Sequence, residues 1–337
     1  MKTTTVEEAF KLASTPYKAG NTEFTTHSSI YIAPTSNVKD TLALYSNYQS
    51  VLAVGGTGAF GYEALLHGAK QVDLFDTNEL QRLYSEYMKT AIIQLEYEDF
   101  MNHFTLKEQQ DVMPIHKYSN LLSNELYDRL VDFVPDDVEE VFTPLYDYFY
   151  STELITSALF RLEHIITPEY LKRYVSFYEE ENYNKLKRIL QENEHAITYQ
   201  TCSLTDVPKT YKDQYDLVIL DNVLQYYRNI PTLETPYDVN RFIRKSLAQR
   251  IIENGSIQAT YGFEIAADAF MEQLGLVEES EERSLLKQLI IQKEIKEGIH
   301  IPLIQKWSGY DYNLIPGVEM YDGGNSKNLV LTYKNSK

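Results

Sequence analysis

Near the start of the chain stands a stretch with the residue types of a nucleotide site: Val51-Leu-Ala-Val-Gly-Gly-Thr-Gly-Ala-Phe-Gly61, followed by Val72-Asp-Leu-Phe-Asp76. An apolar run, a glycine-dense turn, a helix-like segment and a second apolar run ending in an acid spell one βαβ unit. Gly55, Gly56 and Gly58 let the backbone come close to a ligand and turn amides toward it. Asp76 stands twenty residues beyond Gly56, where an acid accepts hydrogen bonds from ribose hydroxyls. The pattern Gly56-Thr-Gly58-Ala-Phe-Gly61 suits a dinucleotide, while the form Val54-Gly-Gly-Thr-Gly58 equally suits S-adenosylmethionine (SAM). The ligand class is therefore an adenosine-containing cofactor, with its identity open at this point.

A second candidate stretch is Tyr215-Asp-Leu-Val-Ile-Leu-Asp-Asn-Val-Leu-Gln-Tyr-Tyr227, an apolar strand that ends in Asp221-Asn222. Asp221 could orient an acceptor or take its proton, or simply cap the segment that follows. Tyr226 or Tyr227 could stack on a substrate or a sulfonium. The seven histidines, His27, His67, His103, His116, His164, His195 and His300, fall at no paired metal-ligand spacing, and the single Cys202 offers no partner for a zinc site. No metal is expected. Neither a G-x-S-x-G elbow nor a P-loop or kinase signature occurs.

The 215–227 stretch resembles the fourth-strand motif of class I SAM-dependent methyltransferases, and the extended runs near the C-terminus resemble that family's closing hairpin. The resemblance implies a Rossmann-like seven-stranded α/β sheet with a C-terminal antiparallel hairpin, and SAM as the cofactor. It implies that Gly55, Gly56, Gly58, Asp76, Thr77, Asn78, Ser203 and Asp221 bind the cofactor, with Asp221, Asn222 and Tyr226 at the transferring group. Ser203 is placed there because it is the nearest candidate for the adenine side in Cys202-Ser-Leu-Thr-Asp206, where the family usually has Gly-Asp; Asp206 is the alternative. A narrower similarity, to the SAM:diacylglycerol 3-amino-3-carboxypropyltransferases (betaine-lipid synthases), lies in Asp76-Thr-Asn78 and in Ala91-Ile-Ile-Gln-Leu-Glu-Tyr-Glu-Asp-Phe-Met-Asn-His-Phe104. That family moves the amino acid chain of SAM instead of its methyl group.

Several elements must position these groups. A strand over Val51–Val54 precedes a helix from Ala59 to His67 that Gly68 ends. Apolar residues at Leu80, Leu83, Tyr84, Tyr87, Met88, Ala91, Ile92 and Leu95 then mark a long amphipathic helix, capped by Asn78 or Thr77. From about 96 to 195 the pattern is helical throughout. Strands return at Ala196–Thr201 and Tyr215–Leu220; a helix is expected from Pro236 to Ile252, and Asn254-Gly255 reads as a turn into a strand over Ser256–Tyr261. Helices near 264–274 and 282–297 lead to extended runs over Tyr310–Met320 and Asn328–Tyr333, separated by Asp322-Gly-Gly-Asn325. The interval from Asp76 to Ile197 far exceeds the roughly 25 to 30 residues of a plain αβ step. The expected organisation is an N-terminal arm or lid over 1–45, an α/β core over 46–95 and 196–337, and a helical insertion over 96–195 that shapes the substrate site.

Composition narrows the partners. The 337 residues carry a net charge of −18 and no prominent basic cluster, which argues against a nucleic acid substrate. No run reaches the roughly 18 apolar residues of a membrane span, and the N-terminus lacks a signal-peptide core, so a cytoplasmic protein without integral membrane association is expected. Tyrosine is abundant at 28 residues, a composition read as half-buried rings with wet hydroxyls. The favoured function is methyl transfer from SAM to a small-molecule acceptor, with aminocarboxypropyl transfer as the close alternative. An NAD(P)-dependent oxidoreductase and a non-catalytic SAM-fold scaffold are the further readings.

Overall fold

Aliphatic runs closed by glycine become strands here, and three-and-four apolar spacings become helices; a computed structural model describes residues 2–17, 25–105, 123–161, 167–260, 267–268, 271, 274–276, 280–297, 310–317 and 327–335. In chain order these begin with α1 (Lys2–Ala13), β1 (Ile30–Tyr31), α2 (Val38–Leu42), β2 (Ser50–Val54), α3 (Ala59–Leu66), β3 (Gln71–Asp76), α4 (Glu79–Gln94) and α5 (Tyr97–Phe104). Next come α6 (Asn124–Asp128), α7 (Asp136–Tyr148), α8 (Ser151–Thr156), β4 (Phe160–Arg161), α9 (Pro168–Tyr174), α10 (Glu180–Glu192) and β5 (Ile197–Thr201). Then follow α11 (Val207–Thr210), β6 (Tyr215–Ile219), α12 (Pro236–Lys245), β7 (Ile251–Ala259), a helix over Glu281–Glu297, β8 (Tyr310–Pro316) and β9 (Lys327–Lys334). This mixed α/β chain divides into two compact units, residues 1–39 with 55–202 and residues 40–54 with 203–337.

In the first unit β3 and β5 pair in parallel, from Val72 opposite Ile197 to Asp76 opposite Thr201, so both strands end on the same edge. The long helix α4 starts where Asn78 Oδ1 accepts the Leu80 N–H at 3.2 Å. It ends where the Tyr183 hydroxyl and the Lys187 ammonium each donate to the Leu95 carbonyl at 2.9 Å. Those donors satisfy a carbonyl that the helix itself leaves unpaired. The described residues between 96 and 195 are largely helical, yet Phe160–Arg161 forms β4, pairing in parallel with β1. Two residues are too few to leave a period-two signal.

The tyrosines depart from expectation. Tyr62, Tyr84, Tyr87, Tyr127, Tyr178, Tyr183, Tyr215 and Tyr227 are fully buried. For four of these, burial is tolerated because the hydroxyl finds a partner inside: Tyr62 with Tyr199, Tyr87 with His103, Tyr127 with Thr143, Tyr227 with Asp268. Around α4 the rings of Tyr87, Phe104, Tyr127 and Phe142 pack at 5.7 to 5.8 Å between centroids, and burial pushes the His103 imidazole down to about 3, leaving it neutral.

In the second unit the strand order is β2-β6-β7-β9-β8. The β2·β6 and β6·β7 pairs are parallel, and the β7·β9 and β8·β9 pairs antiparallel. The helix expected to reach Ile252 stops at Lys245, and β7 already begins at Ile251. Asn254-Gly255 is not a turn but an irregularity inside β7, where the register against β6 shifts and Asn254 takes φ 66°. Asn tolerates that left-handed conformation, so a turn-forming pair serves as a bulge. The Asp322–Asn325 turn, Trp307, His116, His164, His300 and most of the helix expected near 264–274 lie outside the described residues.

A Cβ at Gly255 would lie 3.0 Å from the Asp216 carbonyl oxygen and 3.1 Å from those of Ile252 and Tyr215. Backbone oxygens cannot swing aside as side chains do. Gly255→Ala should therefore lower unfolding free energy by roughly 1–3 kcal/mol in chemical denaturation; an unchanged midpoint would show that the bulge relaxes freely.

Candidate functional site

The first unit gathers Gly55, Gly56, Gly58, Asp76, Thr77 and Asn78 at the carboxyl end of β3. Gly56 and Gly58 have φ of 43° and 79°, a region side-chain-bearing residues disfavour. Gly58 is the N-cap of α3. At Gly55 space is the constraint, since a Cβ there would sit 3.2 Å from Asp76 Cβ and 3.3 Å from the Phe75 oxygen. The three glycine amides do not face outward as the pattern indicates. Gly55 N–H donates to the Phe75 carbonyl at 2.6 Å, Gly58 N–H to the Gly55 carbonyl at 2.7 Å, and Gly56 N–H to Asp76 Oδ2 at 3.0 Å. The glycines supply conformation and clearance while their amides fix the acid.

Asp76 also accepts the Asn78 N–H on Oδ1 at 2.9 Å, and a further backbone bond from Thr77. Two carboxylate oxygens offer about four acceptor sites, so capacity for a ligand hydroxyl is left. Desolvation raises the Asp76 pKa to about 6, against the opposing pull of these backbone donors. A raised acid weakens folding as pH climbs from its ordinary value of 3.8 to about 6, because the unfolded chain ionises first. Any ligand bonded to the ionised form would be lost in the opposite direction, as pH falls through about 6.

Asn78 is buried and occupied. Its Oδ1 accepts the Ser28 N–H at 3.2 Å, and its Nδ2 donates to the Ser28 and Ser29 carbonyls at 2.9 and 3.2 Å. Gln81, one turn later, accepts the Tyr31 N–H at 2.7 Å and donates to the Tyr31 carbonyl at 3.0 Å. Glu79 N–H donates to the Thr26 carbonyl at 2.8 Å. Residues 26–31 are thereby strapped along the start of α4, beside the acid. Thr77 itself is exposed. Glu79 receives the Thr201 hydroxyl from the neighbouring strand end and a 2.8 Å bond from Arg82.

Residues missed from the sequence complete this cradle. Ser85 on α4 donates to the Gly56 carbonyl at 2.8 Å, while the Tyr62 hydroxyl donates to the Ser85 carbonyl at 3.3 Å and meets Tyr199 at 2.7 Å. The available signal was a pair of polar residues, Gln81 and Ser85, on the side of α4 that also carries Leu80, Tyr84 and Met88; the structure leaves both only 1% exposed.

The second unit holds Ser203, Asp221, Asn222 and Tyr226. Asp221 follows β6 with φ 47°, a strained conformation for a non-glycine residue. Thr260 clasps it twice: its hydroxyl donates to Asp221 Oδ1, and its N–H to the Asp221 carbonyl at 2.8 Å. Asn222 and Tyr226 are half-buried. Tyr227 is committed elsewhere, its hydroxyl donating at 2.8 Å to buried Asp268, which also receives Arg283 at 3.0 Å and Lys287 at 3.1 Å. Of the two tyrosines offered for stacking, Tyr226 is the one with exposed surface. The Ser203 hydroxyl donates to Asp206 Oδ2 at 2.7 Å, and together with Lys209 holds that exposed carboxyl below its ordinary pKa. Among the described residues no group of three His, Cys, Asp or Glu side chains could hold a metal ion, and no helix is long and apolar enough to cross a membrane.

No family model and no curated protein matches the sequence. Among solved structures the chain is similar to the N-methyltransferase NodS from Bradyrhizobium japonicum WM9 in complex with S-adenosyl-L-homocysteine, at 11% identity and TM-score 0.33 over 99% of each chain. It is also similar to the rRNA methyltransferase aviRa from Streptomyces viridochromogenes, at 9% identity and TM-score 0.36 over 89% of this chain and 82% of that one. Scores at this level give no residue correspondence, so the site of this chain is argued from its own geometry.

Asn78→Ala removes the cap of α4 and three ties to residues 28 and 29, at a cost of about 1–2 kcal/mol. Hydrogen exchange should show the Ser28 amide losing protection. Protection equal to wild type would mean that the strap is held from elsewhere.

Proposed function

We propose that the chain is a SAM-dependent transferase, that its strands build the Rossmann-like seven-stranded sheet of class I methyltransferases, and that methyl transfer to a small-molecule acceptor is its reaction. The observation that carries the reading is the clasp between Gly56 and Asp76. It presents an acid beside a left-handed glycine turn, the arrangement that receives the ribose of an adenosine cofactor. The amides a pyrophosphate would need at Gly56 and Gly58 are spent on Asp76 and Gly55, which favours SAM over a dinucleotide.

In this reading Asp76 accepts ribose hydroxyls, Gly56, where a Cβ would meet open space, lets the backbone approach the cofactor, Gly55 and Gly58 shape the turn, and Thr77 and Asn78 border it, Asn78 by holding the strap. Ser203 or Asp206 serves the adenine side. SAM supplies an activated sulfonium carbon, so the protein need only bind, align and exclude water. Asp221, strained and clasped by Thr260, orients the acceptor or takes its proton, assisted by Asn222 and Tyr226.

Calorimetry with S-adenosylhomocysteine, SAM and NAD tests the cofactor. Binding of the first two and not the third is expected, and the reverse would sink the reading in favour of an oxidoreductase. No binding of any would leave the scaffold reading. Asp76→Ala should weaken S-adenosylhomocysteine roughly 10- to 100-fold, the loss of charge-assisted hydrogen bonds. Wild-type affinity should fall as pH drops through about 6, where Asp76 takes up its proton. With acceptor present, S-adenosylhomocysteine as product marks methyl transfer, and methylthioadenosine marks aminocarboxypropyl transfer.

A further inference from the structure

Both polar groups of the Gly56 backbone are held, and by different elements. Its N–H donates to Asp76 Oδ2 at 3.0 Å, at the end of β3, and its carbonyl accepts the Ser85 hydroxyl at 2.8 Å, from α4. Gly56 has φ 43° and nothing within 4 Å of where a Cβ would lie, so no packing contact on that side fixes its orientation. Hydrogen bonds must set it. Ser85 is in turn anchored through its own carbonyl, which accepts the Tyr62 hydroxyl at 3.3 Å, and Tyr62 meets the Tyr199 hydroxyl at 2.7 Å. When Tyr62 donates to Ser85, Tyr199 donates to Tyr62, and the chain runs in one direction: Tyr199 on β5, Tyr62 on α3, Ser85 on α4, Gly56 in the turn. Ser85 also reaches the Gln81 carbonyl at 2.9 Å, so its hydrogen is shared between its own helix and the turn.

We infer that Ser85 is a positioning residue for Asp76: acting through the φ and ψ of Gly56, and braced by the Tyr62–Tyr199 pair, it sets the direction in which the acid meets a ribose. The inference rests on the proposed function for its ligand but not for its geometry. Without the Ser85 hydroxyl the Gly56–Thr57 peptide loses its tie, the φ and ψ of Gly56 relax, the N–H of the preceding peptide drifts from Oδ2, and the desolvated carboxylate loses a donor that favours its charged form. The acid then becomes harder to ionise and its oxygens lose their fixed aim.

The titratable side chains on the surrounding elements are Glu79, Arg82, Tyr84, Glu86, Tyr87 and Lys89 on α4, Tyr62 and Glu63 on α3, Asp73 on β3, Tyr199 on β5, the buried Cys202 thiol after it, and His27 and Tyr31 on the strap. Glu79 is bound to Arg82 and Thr201, and Glu86 to Lys89, so both have partners of their own. An Asp76→Asn control isolates the titration of Asp76 from all of these.

The first measurement follows the Asp76 carboxyl by NMR in the free, full-length protein with 13C-labelled aspartate. Wild type should titrate near 6. Ser85→Ala should move the midpoint upward, Ser85→Thr should restore it, and Tyr62→Phe should move it upward by less. The second measures S-adenosylhomocysteine affinity by calorimetry at pH 7.5, where Ser85→Ala should bind roughly 3- to 10-fold more weakly than wild type, the cost of about one neutral hydrogen bond. Should Ser85→Ala fail to fold, Tyr62→Phe carries both readouts. A folded variant whose Asp76 midpoint stays at the wild-type value overturns the inference, whatever the ligand result. Wild type that binds no S-adenosylhomocysteine while the midpoint moves overturns the cofactor reading and leaves the positioning of the acid standing.

Discussion

One hydrogen bond organises the first unit: the donation from Gly56 N–H to the Asp76 carboxylate. It joins the turn before α3 to the end of β3, so that the backbone at its tightest point and the charge at the strand's end are one object. A desolvated carboxylate is costly unless donors surround it, and here the donors are peptide groups from the turn and from the start of α4. Three backbone amides hold the acid ionisable without cancelling its charge. A cation would have cancelled it and left less for a ligand.

The surrounding packing makes that arrangement stiff. Asn78 and Gln81, three residues apart on one face of α4, each bond both ways to the backbone of residues 28–31, acting as a surrogate strand edge for a segment with little regular structure. Behind them lies an interior rich in tyrosine, and the hydroxyls of Tyr62, Tyr87, Tyr127 and Tyr183 are matched within the protein. Matched polar groups in a low-dielectric interior specify one geometry more sharply than aliphatic packing does. This gives the high tyrosine content a structural reason: the rings fill volume while the hydroxyls fix helix ends and turns.

The second unit uses a different device. Asp221 is held in a left-handed conformation that costs on the order of 1–3 kcal/mol, with two hydrogen bonds from Thr260 to oppose it. Nearby in sequence, the 223–229 segment is tied through Tyr227 to Asp268, a buried acid compensated by Arg283 and Lys287. Removing one partner of such a cluster leaves charge uncompensated, which is why buried ionic groups are rigid fixtures. Strain at one acid and full compensation at another mark the first as the candidate for chemistry and the second as scaffold.

Much of this could be read from the chain alone. The glycine turn, the strands around Val51, Val72, Ile197 and Leu217, the α4 stripe and its Asn78 cap are encoded locally, by φ preferences and by the spacing of apolar residues. Local encoding also placed Asp76 at a strand end and Asp221 after the next apolar run. What lay beyond reach depends on contacts between residues far apart in sequence: the two-residue β1·β4 pair, the reuse of Asn254-Gly255 as a bulge, and the occupation of the turn amides by Asp76 and Gly55. Ser85 carries no sequence signal beyond being a polar residue on α4, and only the fold sets it under Gly56. Sequence determined which residues could make a cofactor cradle, because backbone propensity and hydrophobic period act within a few residues. Tertiary structure decided which of their polar groups are already spent, because a hydrogen bond is satisfied only by what the fold brings within about 3 Å of it.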